Sequence, residues 1–365
     1  MSRTIVGVGD PKAVRRWSGK LAVDTNKASY FERKFTSTGA NTPIQRKTDL
    51  EQDAGDEITY DLSVQLREPG VRGDNRAEGT QENLRFFTDM VKIDQLRKPI
   101  SAGGKMTRKR TLHNLRSVAL ARGKDWWGKV FDELHFMYLS GARGHNPDFI
   151  EPLDFNGHAG NAFKTPDGAH QMYGGQARSK ASLTEQDQMS KEAIEKAAVR
   201  ADSIKLVDAE STNMQPIMID GEKHFVIVMS PFQMHDLRQN TDWLDIQKAL
   251  MSYEGNKTPI CRGGAGMINN VVLHKHDSVI SWVDGGAGQN LPVARALMLG
   301  AQAGVIAYGS GDGQTRMEWG EELLDLGNEA VISTGSIFGI KKSQFNQRDF
   351  GVIAIDTVSA NPSPL

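Results

Sequence analysis

Residues 57–66, EITYDLSVQL, alternate with a period of two. Ile58, Tyr60, Leu62, Val64 and Leu66 point one way, and Thr59, Asp61, Ser63 and Gln65 the other, the pattern of a half-buried strand. A long polar stretch follows, punctuated by Pro69, Gly70, Gly73 and Gly79, and then a second β-prone run from Leu84 to Ile93. Strand, polar tip and strand describe an extended two-stranded ribbon. Such a ribbon is at best marginally stable alone in water. It must gain its stability by lying on something else, and a second subunit is one candidate.

The rest of the composition fits a folded chain. Its 365 residues allow two or three modules or one elaborated module. With 38% hydrophobic and 24% charged residues the chain is richer in apolar side chains and closer to neutral than a disordered one. No run approaches the ~20 apolar residues that cross a bilayer, since Arg295 and Gln302 cut the longest candidate, from Ala294 to Tyr308. The start, MSRTIVGVGDPK, lacks a signal-peptide core. Cys261 is the single cysteine, which excludes an intrachain disulfide and a cysteine metal cluster. The formal charge of −1 argues against a surface that coats nucleic acid on all sides. The charge is unevenly placed, however. Residues 1–50 carry ten Lys/Arg against four Asp/Glu, and residues 97–124 carry nine Lys/Arg and no acid. Such a block can face a polyanion, or form a solvated helix face beside acidic neighbours.

Along the chain, Asp10-Pro11 reads as a helix start, with Val14, Trp17 and Leu21, then Phe31 and Phe35, at helical spacing on a basic arm. Thr107 is the expected cap of a long helix to about Leu139. Its stripe is Leu112, Leu115, Ala119, Trp126, Val130, Leu134 and Met137 or Tyr138, and Gly141 and Gly144 stop it. Cations at its head, Arg108-Lys109-Arg110, oppose the helix dipole, so an outside anion or a neighbour's acidic side chains must favour them. Residues 145–182, rich in Gly, Pro, His and Asn, read as an irregular insertion. Thr184 with Asp187 predicts a helix start, and Ile194, Ala197, Ala201 and Ile204 its apolar stripe. PIMIDGEKHFVIVMSP predicts a hairpin turning at Asp220-Gly221. A helix from Phe232 to about Met251, a strand from Asn269 to His274, a small-residue helix from Pro292 to Tyr308 and a closing buried strand, GVIAID, complete the expectation. Strands and helices are segregated, which points to the α+β class.

The search for reaction chemistry finds little. RGGAGM and GSGDGQT match neither phosphate-loop pattern, and no GxSxG elbow is present. His274 and His276 have a spacing a metal could use, but no motif supplies a third ligand. Glu321-Glu322 with Asp325, preceded by Glu318, reads as a solvated helix face, and Trp126-Trp127 as an anchor for the long helix. No catalytic residue, cofactor or metal is assigned.

The order of these segments resembles the major capsid proteins of tailed phages with the Hong Kong 97-like fold, and more closely the subfamily typified by the coliphage N-four capsid. The matching stretches are KASYFERKF, GDEITYDLSVQL with GVRGDNRAEGTQENL, IDQLR, GGKMTRKRT, LSGARG, PIMIDGEKHFVIVMSP, DLRQNTDW, ARALMLGAQA and GIKKSQFNQRDFGVIAIDT. The resemblance implies an N-terminal arm (1–50), an extended loop overlapping a neighbour (51–96), and a peripheral domain with a spine helix (97–144). It further implies the insertion (145–182), a peripheral-domain helix (183–207), an axial domain (208–335), and a return strand to the peripheral domain with a C-terminal tail (336–365). It implies a shell subunit of the virion, made in the host cytoplasm, that joins copies of itself as hexamers and pentamers around non-specifically held double-stranded DNA, with no membrane. Portal, scaffolding and decoration proteins are further candidate partners. Arg67, Arg72, Asp74, Arg76 and Glu78 at the loop tip are candidate ion-pair contacts to a neighbour, and Arg108, Lys109 and Arg110 a candidate DNA-facing or neighbour-facing cluster. Rival readings are an encapsulin-like nanocompartment shell and a soluble enzyme with an unrecognised site.

Overall fold

The computed structural model describes residues 21–25, 27–51, 55–63, 70–74, 76–79, 81, 83–84, 86–110, 114–207, 212–239, 260, 264–310 and 316–361. Asp10, Pro11, Val14, Trp17, the later part of the helix expected from Phe232, and Cys261 lie outside them.

The spine helix runs from Leu115 to Ser140, about 39 Å at 1.5 Å per residue. Thr107 does not cap it. A separate short helix, Lys105–Arg110, follows directly on the strand Asp94–Gly104. Asn114 takes the cap position instead, its carbonyl accepting from Val118 N at 3.1 Å. The first half of the spine helix is buried on one side only, through Ala119, Leu120 and Trp127, but from Val130 to Ser140 every residue is buried. A helix buried all round needs neighbours on every side. Phe131 meets Phe338 at 4.9 Å between ring centroids, and Trp127 Nε1 donates to Thr334 Oγ1 at 3.0 Å; both partners lie on one sheet. Ser140 O accepts from Arg295 of a second sheet at 2.8 Å. Phe136 packs edge-on against Phe31 of the arm at 4.9 Å. From the insertion, Phe163 packs on Tyr138 at 4.9 Å, and Ile150 N donates to Glu133 at 2.9 Å.

The first sheet is organised by one 14-residue strand, Glu329–Lys342. Along one edge it pairs antiparallel with Asp94–Gly104. Along the other it pairs with Glu318–Leu324 near its start and Gly304–Gly309 near its end. Ile44–Lys47 of the arm joins beside Gly304–Gly309 in parallel. Glu321 and Glu322 thus sit on a strand and not on a helix face.

In the second sheet, Leu291–Leu299 is central, flanked by Glu222–Met229 and Val352–Val358. Alternate residues serve two cores. Val226, Val228, Leu297, Leu299, Val352 and Ala354 face the spine helix core. Phe225, Ile227, Met229, Met298, Ile353 and Ile355 face the helix Lys191–Val207, whose Ile194, Ala197, Ala201 and Ile204 are buried as expected. The hairpin turn at Asp220-Gly221 is as expected, with φ of 50° and 86°.

Further expectations are corrected. Pro292–Tyr308 is not a helix but two strands, Leu291–Leu299 and Gly304–Gly309, in different sheets. Both faces of the first are buried, so apart from Arg295 the run is apolar and carries no period of two. The final strand, Val352–Val358, pairs with Leu291–Leu299 in the hairpin's sheet, where both its faces are covered. Thr184 does not start a helix. Its N and Oγ1 donate to Asp187 at 2.8 and 2.9 Å in a local turn, and Gln188 then bridges to Val358 before the helix begins at Lys191. The strand expected from Asn269 is present as Val271–Lys275, the second half of a hairpin with Gly266–Ile268.

Arg295 and Asp356 pair bidentately across the second sheet at 2.6 and 2.7 Å, with Asp356 fully enclosed. Asp356→Asn leaves the guanidinium uncompensated and should cost about 3–5 kcal/mol, read as a lower denaturation midpoint of the full chain by chemical unfolding.

Candidate assembly interface

The ribbon consists of Glu57–Ser63 and Phe86–Lys92, paired antiparallel with Ile58 opposite Val91. Its root sits on the first sheet. Ile58 and Val91 bury against Val305 and Ala307, with Leu50, Tyr60 and Ile93 at the margin. The contact is close because Gly339 has no side chain: a β-carbon there would lie 1.9 Å from Lys92 O.

Asp89 ties the root to the end of the long strand. It accepts from Tyr60 Oη at 2.8 Å and Gln344 N at 3.3 Å, and it pairs with Lys341 Nζ. Lys341 Nζ also donates to Met90 O at 2.9 Å. The insertion clasps the same point from the other side. Asn161 Oδ1 accepts from Lys92 N at 3.0 Å, and its Nδ2 donates to Lys92 O at 2.7 Å. His158 stacks on Phe338 at 4.4 Å.

Beyond the root the ribbon leaves the body. Leu84 and Phe86 are 63% and 58% exposed, and Met90 is exposed on the same outer face as Phe86. Arg72, Asp74, Arg76 and Glu78 are all exposed, and Arg76 pairs with Glu78 within the chain. Arg67 lies outside the described residues. Apart from the Arg76–Glu78 pair, the described tip residues show exposure and not a shared contact, and the basic cluster lies on a different element, before the spine helix. There Lys109 and Arg110 are exposed on the short helix Lys105–Arg110, and the side chain of Arg108 lies outside the described part.

The histidine pair is absorbed by packing. His274 Nδ1 lies 2.7 Å from Tyr30 Oη and its Nε2 2.7 Å from Ile260 O. Among the described residues no cluster of three His, Cys, Asp or Glu could hold a metal ion. The seating of the arm was not anticipated. Ser29 caps the helix Tyr30–Lys34, accepting from Glu32 N at 3.2 Å. The S-x-x-E spacing in KASYFERKF carries that signal. The carboxylate that receives this helix end, Asp132, is more than 100 residues away.

Asp89→Ala removes the acceptor shared by Tyr60, Lys341 and Gln344. A lost bond of this kind is worth about 1–3 kcal/mol, so amide protection of residues 58–60 and 90–92 should fall roughly tenfold or more by hydrogen exchange. Protection of Val352–Val358 should not change.

This architecture agrees with three comparisons. A family model described as phage capsid protein matches residues 5–361. The major capsid protein of Pseudomonas phage KPP25 is 26% identical over 371 residues, covering 93% of each chain. The capsid protein of Ralstonia phage GP4 superposes with a TM-score of 0.89 at 53% identity over 100% of both chains. A capsid chain of cyanophage Pam1 shares the fold at 19% identity, with a TM-score of 0.69 over 91% of this chain and 94% of that one. With its α+β, Hong Kong 97-like fold and its outlying ribbon, the chain belongs to the phage capsid protein family.

Proposed function

We propose that this chain is the major shell subunit of a tailed phage, and that it closes into hexamers and pentamers forming an icosahedral shell around double-stranded DNA. The observation that carries this reading is the ribbon: rooted by Ile58, Val91 and Asp89, it continues outward with Leu84, Phe86 and Met90 uncovered. Apolar side chains on a two-stranded ribbon are costly in water and find cover on a second copy. A ring of such overlaps is a heterologous contact that closes by rotation.

The ribbon would then be the overlapping loop, and the spine helix with the Glu329–Lys342 sheet the peripheral unit. The Leu291–Leu299 sheet with its flanking helix would be the axial unit. Arg72, Asp74, Arg76 and Glu78, with Arg67, would pair with a neighbour's charges. Each exposed pair is worth only ~0–1 kcal/mol, so their effect would come from repetition around the ring. Lys109 and Arg110, with Arg108, would face DNA phosphates or a neighbour's acidic side chains. Portal, scaffolding and decoration proteins are further partners in this reading, and synthesis takes place in the host cytoplasm.

The test replaces residues 67–79 with a Gly/Ser segment of equal length and follows particle formation by light scattering and electron microscopy. The reading expects the wild-type chain to form particles of tens of nanometres and the variant to stall at small species. Normal, normally stable shells from the variant would refute the role of the tip. A wild-type chain that stays monomeric at high concentration would refute the shell itself.

A further inference from the structure

We propose that the seating of arm segment 21–35 on the spine helix is acid-labile: proton uptake by buried histidines releases the segment while the body of the subunit stays folded. These groups take no part in the shell reading, and their titration acts within a single subunit.

The segment is held by a compact polar cluster. Asp132 of the spine helix receives the N-terminus of the helix Tyr30–Lys34. Its Oδ1 accepts from Ser29 Oγ at 2.8 Å and Phe31 N at 3.0 Å, and its Oδ2 from Tyr30 N at 2.9 Å. Three histidines surround this contact. His135 is fully enclosed, its ring stacked on Phe31 at 5.1 Å and 8°, with Nδ1 2.6 Å from Phe131 O and Nε2 lacking a hydrogen-bond partner. His274 lies against Phe35 at 5.2 Å, and its neutral form fits its surroundings: Nε2–H donates to Ile260 O while Nδ1 accepts from Tyr30 O–H. His276 packs on the Tyr30 ring at 4.8 Å, its Nε2 4.0 Å from Asp132.

Other charged or titratable groups face the cluster from each packed element. The arm supplies Tyr30, Glu32, Arg33, Lys34 and Arg46; Glu32 and Arg46 pair at 2.5 Å. The turn after Lys275 supplies Asp277, 3.2 Å from His276, and Tyr308 lies beneath. Lys34 sits 4.4 Å over the Tyr30 ring, and burial lowers its own proton affinity to about 8, so it is still largely cationic at neutral pH.

The directions of titration follow from burial. It holds His135 and His276 below the usual histidine range and pushes His274 down to about 4, with Lys34 adding to the effect on the last two. A histidine whose proton affinity is lower when the arm is seated favours seating above about pH 6.5, and that contribution disappears as pH falls toward 4. Asp132 acts the other way. Burial raises it to about 6, so its burial penalty is relieved as pH falls from above 6 toward 4. Three histidines oppose one carboxylate, and the net effect of acid is release.

Hydrogen exchange of the full chain, corrected for the intrinsic pH dependence of the rate, tests this. Amides of residues 30–35 should lose protection at least tenfold between pH 7.5 and 4.5, while those of 291–299 and 352–358 keep theirs. His135→Phe keeps the stack on Phe31 without a titrating group, and with His274→Gln it should move the release to lower pH. Asp132→Asn removes the opposing group and should steepen the loss with acid, even if its starting protection is lower. Unchanged protection of 30–35 across this range overturns the proposal. So does a loss shared equally by the core strands, or a wild-type release midpoint in the histidine double variant.

Discussion

The lower half of the spine helix cannot face water on any side, and the rest of the subunit is arranged to satisfy that demand. From Val130 to Ser140 the helix presents Phe131 to one sheet, Ser140 to the other, Phe136 to the arm and Tyr138 to the insertion. No single layer could cover such a helix. The chain answers with two sheets that diverge from it, and each is served by several passes of the polypeptide. This explains why the chain after residue 299 crosses from the hairpin's sheet to the other one, and why its last strand goes back to the hairpin's sheet.

The same arrangement leaves the ribbon as the element the subunit does not cover for itself. Its root is over-determined: an apolar contact, the carboxylate of Asp89, the close approach at Gly339 and the clasp by Asn161 all act within a few residues. The described residues of its outer part show none of these. A firmly set base with an uncovered end suits an element that delivers a fixed geometry to another molecule. The insertion, which reads from sequence as irregular polar chain, acquires a structural purpose at this base.

Elements that show one face to water were legible in the sequence. The ribbon's alternation, the Asp220-Gly221 hairpin and the helix stripe through Leu115, Ala119 and Trp126, beside the exposed Val118, Arg122 and Asp125, all have a period because one side differs from the other. Elements buried on both sides were not. Leu291–Leu299 is apolar on both faces, and with the small residues that follow it imitates a core helix. The long strand Glu329–Lys342 did carry a signal in Ile332, Phe338 and Ile340, interrupted by the buried Thr334 and Ser336. The cluster around Asp132 joins residues from three distant stretches of chain, and no local pattern announces it. The spacing of His274 and His276 does not reveal that a tyrosine hydroxyl and a carbonyl already occupy both nitrogens of the first.

The covalent path from ribbon to body has a mechanical meaning. Phe86–Lys92 passes, through Ile93, straight into Asp94–Gly104, which is hydrogen-bonded along most of its length to Glu329–Lys342. A pull on the outlying end therefore loads a row of parallel bonds together in shear, where unzipping would break them one by one. Tension arriving from outside is spread along this 14-residue strand before it can reach the helix that the strand supports.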